Sequence, residues 1–188
     1  MKPIRILVSG PLGAGKTTFV STLCSSNVFI STDRAVTSPI EKKYKDVTTV
    51  AFDFGVTRYS NVKLMLYGTP GQQRFFYFIP ILMRQCEYLL FLVDSSSVAS
   101  VYRGRALFER YFRRKLGHFK NFLIVANKTD LPNPLPLEEI AEIMNVNLNK
   151  IAKSVAKDKN SCLRVISKLL EPIKAKLMVN SLRREILK

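Results

Sequence analysis

Tryptophan is absent from the 188-residue sequence, histidine occurs once, and cysteine occurs only three times. Cys24, Cys86 and Cys162 lie far apart without a Cys-x-x-Cys pair, and His118 is the single imidazole. These residues are too few for a structural zinc site, and an odd number of cysteines argues against a disulfide framework. We therefore expect a cytoplasmic protein, because that compartment keeps thiols reduced.

Long hydrophobic runs are also lacking. The longest, such as residues 88–93, are far shorter than the roughly 20 residues that span a bilayer. The apolar run over residues 4–8 has only the length of a strand, so we expect no secretory signal. Hydrophobic residues still make up 47% of the chain, enough for a buried core. The length predicts a single domain over residues 1–188.

Acidic residues are scarce, since 14 Asp and Glu stand against 30 Lys and Arg, which gives a net charge of +16. Within residues 102–120 the single acidic residue is Glu109. Seven basic residues lie in the same stretch: Arg103, Arg105, Arg110, Arg113, Arg114, Lys115 and Lys120. The stretch is either a solvated helix face or a docking face for an acidic protein or an anionic membrane surface. No recognisable nucleic-acid-binding module accompanies the charge, so we expect no specific nucleic-acid binding.

A second basic stretch forms a C-terminal tail from about residue 173, which mixes apolar residues with Lys and Arg. Such a tail either continues the last helix or contacts a partner or a membrane surface. The two alternatives for localisation are therefore a cytoplasmic protein and a cytoplasmic protein that also binds the membrane surface.

Short runs rich in Val, Ile, Leu and Phe predict β-strands. They cover Ile4–Ser9, Thr49–Arg58, Val62–Tyr67, Tyr88–Asp94 and Phe122–Asn127. Helices are predicted over Lys16–Cys24, Arg74–Gln85, Ala99–Leu116 and Ser161–Glu171. This alternation predicts an α/β fold with a mostly parallel sheet of about six strands and helices on both faces. Only residues 59–61 separate the second and third strands, which predicts one antiparallel hairpin strand.

The segment Gly10-Pro11-Leu12-Gly13-Ala14-Gly15-Lys16-Thr17 has the phosphate-loop pattern of P-loop NTPases and joins a predicted strand to a predicted helix. Its glycines allow successive N–H groups to face one phosphate-binding concavity at the N-terminus of the helix. Lys16 is expected to reach the β- and γ-phosphates, and the Thr17 hydroxyl to ligate Mg²⁺. We expect nucleotide contacts to extend to Thr18.

Asn127-Lys128-Thr129-Asp130 directly follows another predicted strand, so it lies on the same rim of the sheet. The Asp130 carboxylate can accept hydrogen bonds from the N1–H and the exocyclic amine of guanine. Asn127 would brace the site, and the stem of Lys128 can lie over the purine. The alternative is an ordinary polar loop at the end of a strand.

With these motifs the chain resembles small GTPases of the Ras superfamily over nearly its full length. The resemblance implies a switch that binds GTP or GDP with Mg²⁺ and hydrolyses GTP. It implies that Thr49 senses γ-phosphate and Mg²⁺ in the first switch and assists catalysis beside Lys16. In Gly68-Thr69-Pro70-Gly71-Gln72, where the second switch begins, Gly71 would contact the nucleotide and Gln72 would orient the attacking water. Val155-Ala156-Lys157 resembles the loop whose alanine N–H meets the guanine oxygen.

Two departures point to a branch of the superfamily. The second switch normally starts with an aspartate that holds Mg²⁺ through water, but Gly68 stands there. The chain resembles prokaryotic Mgl-type GTPases, in which an aspartate of the second strand replaces it, here Asp53. Thr48 stands where some of these proteins carry an arginine finger. We therefore expect slow intrinsic hydrolysis, an activating protein and, by resemblance, a Roadblock-type partner.

Three functions remain open at this point. The first is a GTP-hydrolysing switch with protein regulators and effectors, and the second is a GTP-binding scaffold with negligible turnover. The third is a phosphate-loop kinase of a small molecule. Asp94, at the end of a predicted strand, would either brace the nucleotide rim or cap the following turn.

Overall fold

The computed structural model describes residues 2–24, 29–31, 52–71 and 73–173. Two of the predicted catalytic residues, Thr49 and Gln72, and the tail beyond residue 173 lie outside these ranges. The strands are Ile4–Ser9 (β1), Phe29–Ser31 (β2), Asp53–Tyr59 (β3), Val62–Gly68 (β4), Tyr88–Asp94 (β5), Asn121–Asn127 (β6) and Ile151–Ser154 (β7). The α-helices are Lys16–Cys24 (α1), Ile79–Gln85 (α2), Val98–Tyr111 (α3), Leu137–Met144 (α4) and Lys159–Leu169 (α5). Short 3₁₀ segments cover Gln73–Phe78, Arg113–His118, Leu148–Lys150 and Glu171–Ile173.

The described strands form one seven-stranded sheet in the order β2-β3-β4-β1-β5-β6-β7. Strand β3 runs antiparallel to both of its neighbours, and the pairs β4–β1, β1–β5, β5–β6 and β6–β7 are parallel. The predicted α/β class is therefore confirmed. The strands that sequence reasoning did not identify, β2 and β7, are three and four residues long, which is too short for a clear hydrophobic pattern.

The predicted hairpin joins β3 to β4 through a two-residue loop, since Tyr59 pairs with Val62. Both loop residues have positive φ, +45° for Ser60 and +61° for Asn61. This combination is that of a type I′ turn, whose twist matches the twist of the flanking strands.

The parallel strands are buried on both faces, which explains their unbroken apolar sequences. In β5, Leu90 and Leu92 pack with α1 and α5 on one side of the sheet. Their neighbours Leu89 and Phe91 pack with α2, α3 and α4 on the other side. The alternation places one hydrophobic core on each face, as the fold class requires.

The helices differ from the predicted ones in several places. Helix α3 ends at Tyr111 rather than at Leu116, and a 3₁₀ segment follows over Arg113–His118. The segment before α2 is 3₁₀ over Gln73–Phe78, and Pro80 in the first turn of α2 has no N–H to continue an α-helix from further upstream. Helix α5 begins at Lys159 because the Asp158 carboxylate accepts hydrogen bonds from the N–H groups of Asn160 and Ser161. Helix α4, only eight residues long, was not predicted. Among the described helices, none is long and apolar enough to cross a membrane.

Candidate nucleotide-binding site

The predicted site residues lie in loops at one edge of the sheet. The loop 10–15 follows β1, and Thr69–Gly71 follows β4. Asp94, Asn127 and Ser154 end β5, β6 and β7. Parallel strands deliver their carboxyl ends to the same edge, where open α/β sheets bind their ligands.

The phosphate loop depends on glycine at its two ends. Gly10 has φ +144°, and a Cβ there would lie 2.2 Å from the carbonyl oxygen of Leu92. Gly15 has φ +90°, and a Cβ there would lie 2.3 Å from Asn127 Nδ2. Any other residue at either position would collide with the neighbouring strand end, so the motif glycines are required by close approach as well as by φ.

Lys16 is 7% exposed, and its ammonium group closes the phosphate loop. The Nζ atom donates hydrogen bonds to the carbonyl oxygens of Gly10 and Pro11, at 2.9 and 2.8 Å. Gly71 approaches the same group, since a Cβ on Gly71 would lie 3.0 Å from Lys16 Nζ. The structure thus brings together the lysine of the first motif and the glycine of the predicted second switch.

Thr17 and Asp53 are also brought together, although 36 residues separate them. The Thr17 hydroxyl donates a 2.7 Å hydrogen bond to Asp53 Oδ2, and Asp53 is 6% exposed. Asp53 pairs with Gly68 across β3 and β4. A Cβ on Gly68 would lie 2.8 Å from the Asp53 Cβ, so the space that a side chain at 68 would need is occupied by Asp53.

The donor atoms at this point suit Mg²⁺, which prefers oxygen ligands and often combines one or two protein groups with phosphate oxygens and water. A hydroxyl and a carboxylate oxygen meet at the entrance of the phosphate loop. Within the part of the chain that the structure describes, no group of three or more His, Cys, Asp or Glu side chains forms an all-protein cage. The residues present therefore fit a cation that is shared with a bound nucleotide.

Asn127 joins three loops through its buried side chain. Its Nδ2 donates to the carbonyl oxygen of Ala14 at 2.9 Å, and its Oδ1 accepts from the Ala156 N–H at 2.9 Å. The carbonyl oxygen of Asn127 accepts hydrogen bonds from both the N–H and the hydroxyl of Ser95. Asn127 therefore fixes the distance between the phosphate loop and the loop that contains Ala156.

Lys128 has φ +65° and forms an ion pair with Asp94, with Nζ 2.5 Å from Oδ2. The other Asp94 oxygen, Oδ1, accepts from the N–H and hydroxyl of Ser96. Burial opposes ionisation of Asp94, but the hydrogen bonds from Lys128 and Ser96 outweigh burial and hold the pKa of the carboxyl below its usual value. Both roles considered for Asp94 are therefore present, because it braces the rim with one oxygen and caps the following turn with the other.

A cavity of about 250 Å³ opens beside these residues. Its lining consists of Gly15, Thr18, Asn127, Lys128, Asp130, Leu131, Val155, Ala156 and Lys157. All of these except Leu131 were predicted as nucleotide contacts, and the structure gathers them around one space. The Ala156 N–H donates to Asn127 here, so its hydrogen bond to a guanine oxygen stays a prediction.

Sequence reasoning missed several members of the site. Leu131 is 41% exposed beside the cavity, and the one available signal was an apolar residue in an otherwise polar loop. Ser95 follows a strand and resembles any turn serine. Ser9 and Thr69 share a buried 3.0 Å hydroxyl hydrogen bond that ties the start of the second switch to β1, and the strand pattern contains no sign of it.

A glycine-rich loop between a strand and a helix, with a cavity of about 250 Å³ on the same rim, defines a protein of the P-loop class. Residues 1–177 match the model of the ADP-ribosylation factor (Arf) family. The chain belongs to this family of Ras-superfamily small GTPases, which are GTP-binding switch proteins. The predicted superfamily is therefore confirmed, and the match covers nearly the whole chain.

Proposed function

We propose that this protein is a slow GTPase switch that distinguishes guanine from adenine nucleotides and binds them with Mg²⁺. The observation that carries the proposal is the position of Asn127, whose side chain links the phosphate loop to the Ala156 loop at 2.9 Å on each side. A nucleotide that fills the cavity with its base would reach the phosphate loop with its phosphates.

Base selection is assigned to Asp130, an exposed carboxylate on the lining of the cavity. It would accept hydrogen bonds from the N1–H and the exocyclic amine of guanine, which adenine does not offer in that arrangement. Lys128 would cover the purine face with its stem, since its ammonium group is held at Asp94.

Phosphate binding is assigned to the backbone N–H groups of residues 10–15, the Lys16 ammonium group and the positive end of α1. Thr17, Asp53 and, by resemblance, Thr49 would hold Mg²⁺, with Asp53 acting through water as the missing second-switch aspartate would. The ion neutralises phosphate charge when bound. The Thr17–Asp53 hydrogen bond and the space left by Gly68 support this assignment.

Slow hydrolysis is proposed because Gln72 would orient water but Thr48 stands where, by the Mgl-type resemblance, some members carry an arginine finger. A partner protein would then raise the rate, and a Roadblock-type regulator is the candidate that the Mgl-type resemblance suggests. We also place the protein in the cytoplasm, with reversible membrane contact through its basic residues. The three cysteines are free and buried, which suits a reducing compartment.

The direct test is a displacement titration of fluorescent GDP by GTP, ATP and xanthosine triphosphate. In Asp130→Asn we expect GTP to bind roughly ten- to hundredfold more weakly, because a bound guanine that loses its hydrogen-bonding partner loses about 1–3 kcal/mol. Xanthosine triphosphate should bind more tightly, since its oxygen meets the new amide. Glu139→Gln, an exposed carboxylate-to-amide change on α4, is the control and should change neither affinity.

The same titration separates the alternatives. Tighter binding of ATP than of GTP would replace the proposal with a kinase. Tight GTP binding without phosphate release, even with an activating partner present, would replace it with a GTP-binding scaffold.

A further inference from the structure

A groove of about 790 Å³ lies next to the phosphate loop, between that loop, the Gln73–Phe78 segment and α3. Its apolar lining includes Leu12, Phe76, Leu107 and Tyr111. Phe76 and Tyr111 pack edge to face with ring centroids 5.8 Å apart, and Leu12 is 67% exposed. The groove is therefore a recess with an apolar surface outside the guanine cavity.

Two arginines also line this groove, Arg103 and Arg110. They lie seven residues apart on α3, so about 10.5 Å separates them along the helix axis on the same face. The Arg110 guanidinium lies over the Tyr111 ring, 5.3 Å from its centroid, which holds it at the rim. The groove thus presents two positive charges beside an apolar surface, and the one on Arg110 is held by its ring contact.

The carboxylates on and near α3 do not neutralise these two charges. Glu109 is paired with Arg113 at 2.7 Å, and Glu87 is paired with Lys120 at 2.6 Å. Among the residues that the structure describes, no ion pair involves Arg103 or Arg110. The positive charge at the groove therefore remains available for a partner of opposite charge.

We propose that this groove docks an acidic amphipathic segment of a partner protein. Its apolar side chains would enter between Phe76 and Leu107, and its carboxylates would pair with Arg103 and Arg110. The inference rests on the proposed function in so far as the partner is a regulator or effector of the switch. It adds to that function the chemistry of the partner and the surface that binds it.

A folded or folding polypeptide segment suits the groove better than a membrane or a nucleic acid. A flat bilayer meets protruding residues and cannot fill a recess. Bases stack on open aromatic faces, whereas the Phe76 and Tyr111 rings are half-buried and pack against one another. An amphipathic helix offers apolar and acidic positions at the spacing of one helix face.

The test uses a fluorescein-labelled 14-residue peptide with leucine on one helical face and glutamate on the other. Its control is a peptide of the same composition with the order scrambled. Anisotropy is measured on the full chain in excess GDP and Mg²⁺. The groove variant is Arg103→Glu/Arg110→Glu, and the matched control is Arg105→Glu/Arg114→Glu. Arg105 lies on α3 and Arg114 on the 3₁₀ segment that follows it; both are exposed and neither lines the groove. The control variant therefore makes the same change of charge outside the groove.

We expect the groove variant to bind the amphipathic peptide about tenfold more weakly and the control pair to change its affinity less than twofold. Ala106→Trp, which fills the groove without altering charge, should weaken binding to a similar degree. Equal losses in both charge variants would overturn the inference, because the attraction would then be general. Tighter binding of phosphatidylserine vesicles or of an oligonucleotide, with loss confined to the groove variant, would also overturn it.

Fluorescent GDP affinity is measured on every variant alongside the peptide. Unchanged GDP affinity shows that the groove variants are folded. If the protein does not select guanine nucleotides but still binds the peptide at the groove, the proposed function is refuted and the docking site is not. Selective guanine binding without groove-specific peptide binding would refute the docking site alone.

Discussion

At the scale of single residues, the site depends on contacts between positions that are distant in sequence. Gly68 has no side chain where a small GTPase of this superfamily usually has an aspartate, and Asp53 occupies the space beside it. Asp53 lies on β3, and its hydrogen bond from Thr17 holds it at the phosphate loop. We propose that this carboxylate serves in place of one at position 68.

Asp53→Ala should weaken Mg²⁺-dependent GTP binding about 10–100-fold, the usual effect of losing a group that orients metal ligands. Binding of GDP in the presence of chelator should barely change. A Mg²⁺ titration of nucleotide affinity measures both. Equal Mg²⁺ midpoints in wild type and variant would show that Asp53 does not serve the metal.

A relocated carboxylate provides the sharper version of this test. Gly68→Asp in an Asp53→Gly background should recover most of the lost Mg²⁺ affinity, because Asp53→Gly removes both the carboxylate and the Cβ that a side chain at position 68 would meet at 2.8 Å. The single variant Gly68→Asp should instead lower the stability, since its Cβ would meet that of Asp53 at 2.8 Å. If the double variant is folded but does not recover Mg²⁺ affinity, the proposal that Asp53 takes the place of a carboxylate at position 68 is wrong.

Asp94→Asn should accelerate GDP release about fivefold, because Lys128 loses the ionic partner that holds it beside the cavity. Stopped-flow displacement of fluorescent GDP measures the rate. The pKa of Asp94 lies below its usual value. The ion pair is therefore complete at every pH above the usual pKa of an aspartate, and it is lost only as the pH falls through the lowered pKa. The difference between wild type and variant should therefore persist from pH 8 down to about pH 5. Glu87→Gln, which removes the Lys120 ion pair at the opposite end of β5, is the control and should leave the rate unchanged.

At the scale of elements, one glycine of helix α3 packs directly against the sheet. Gly104 is buried over β5, and a Cβ there would lie 2.7 Å from Val93 Cγ1. The close approach positions the face of α3 that carries Arg103 and Arg110. The helix therefore gives up some helical propensity at this position for contact with the strand.

Gly104→Ala should lower the free energy of unfolding by about 1 kcal/mol, because overpacking costs more than the gain in helix propensity. Val93→Ala leaves a small cavity, and combining the two changes should place the new methyl group within it. Chemical denaturation should then show a double variant that is more stable than the sum of the single effects. Strictly additive free energies would mean that the two side chains do not compete for the same space.

At the scale of the whole molecule, turnover depends on groups that come from separate parts of the chain. Intrinsic single-turnover hydrolysis should be slow, on the order of 10⁻⁴ to 10⁻² s⁻¹ as in unassisted relatives of this mechanism. Gln72→Leu should abolish stimulation by an activating partner, because the water would lose its orienting group. Gln85→Leu, the same change at an exposed position at the end of α2, should leave stimulation intact. Rapid unassisted turnover that survives Gln72→Leu would contradict the assignment.

The sequence alone determined the fold class and the two nucleotide motifs. Strands such as β5 are apolar at every position because both of their faces are buried, and such runs are visible without a structure. Gly10, Gly15 and Lys16 occupy the spacings of a phosphate-loop motif. Residues 59–61 indicate a hairpin because so short a connection forbids a crossover. These are properties of contiguous residues, which a single sequence records directly.

Only the tertiary structure decided which of the distant residues meet. Asn127 reaches Ala14 across 113 residues, and Asp53 stands opposite Gly68 through the register of β3 and β4. The Asp94–Lys128 ion pair likewise depends on β5 lying beside β6. Strand order and register set these distances, and no local pattern encodes them. The groove beside the phosphate loop arises in the same way, since Leu12 and Phe76 line it together with Arg103 and Arg110 of α3.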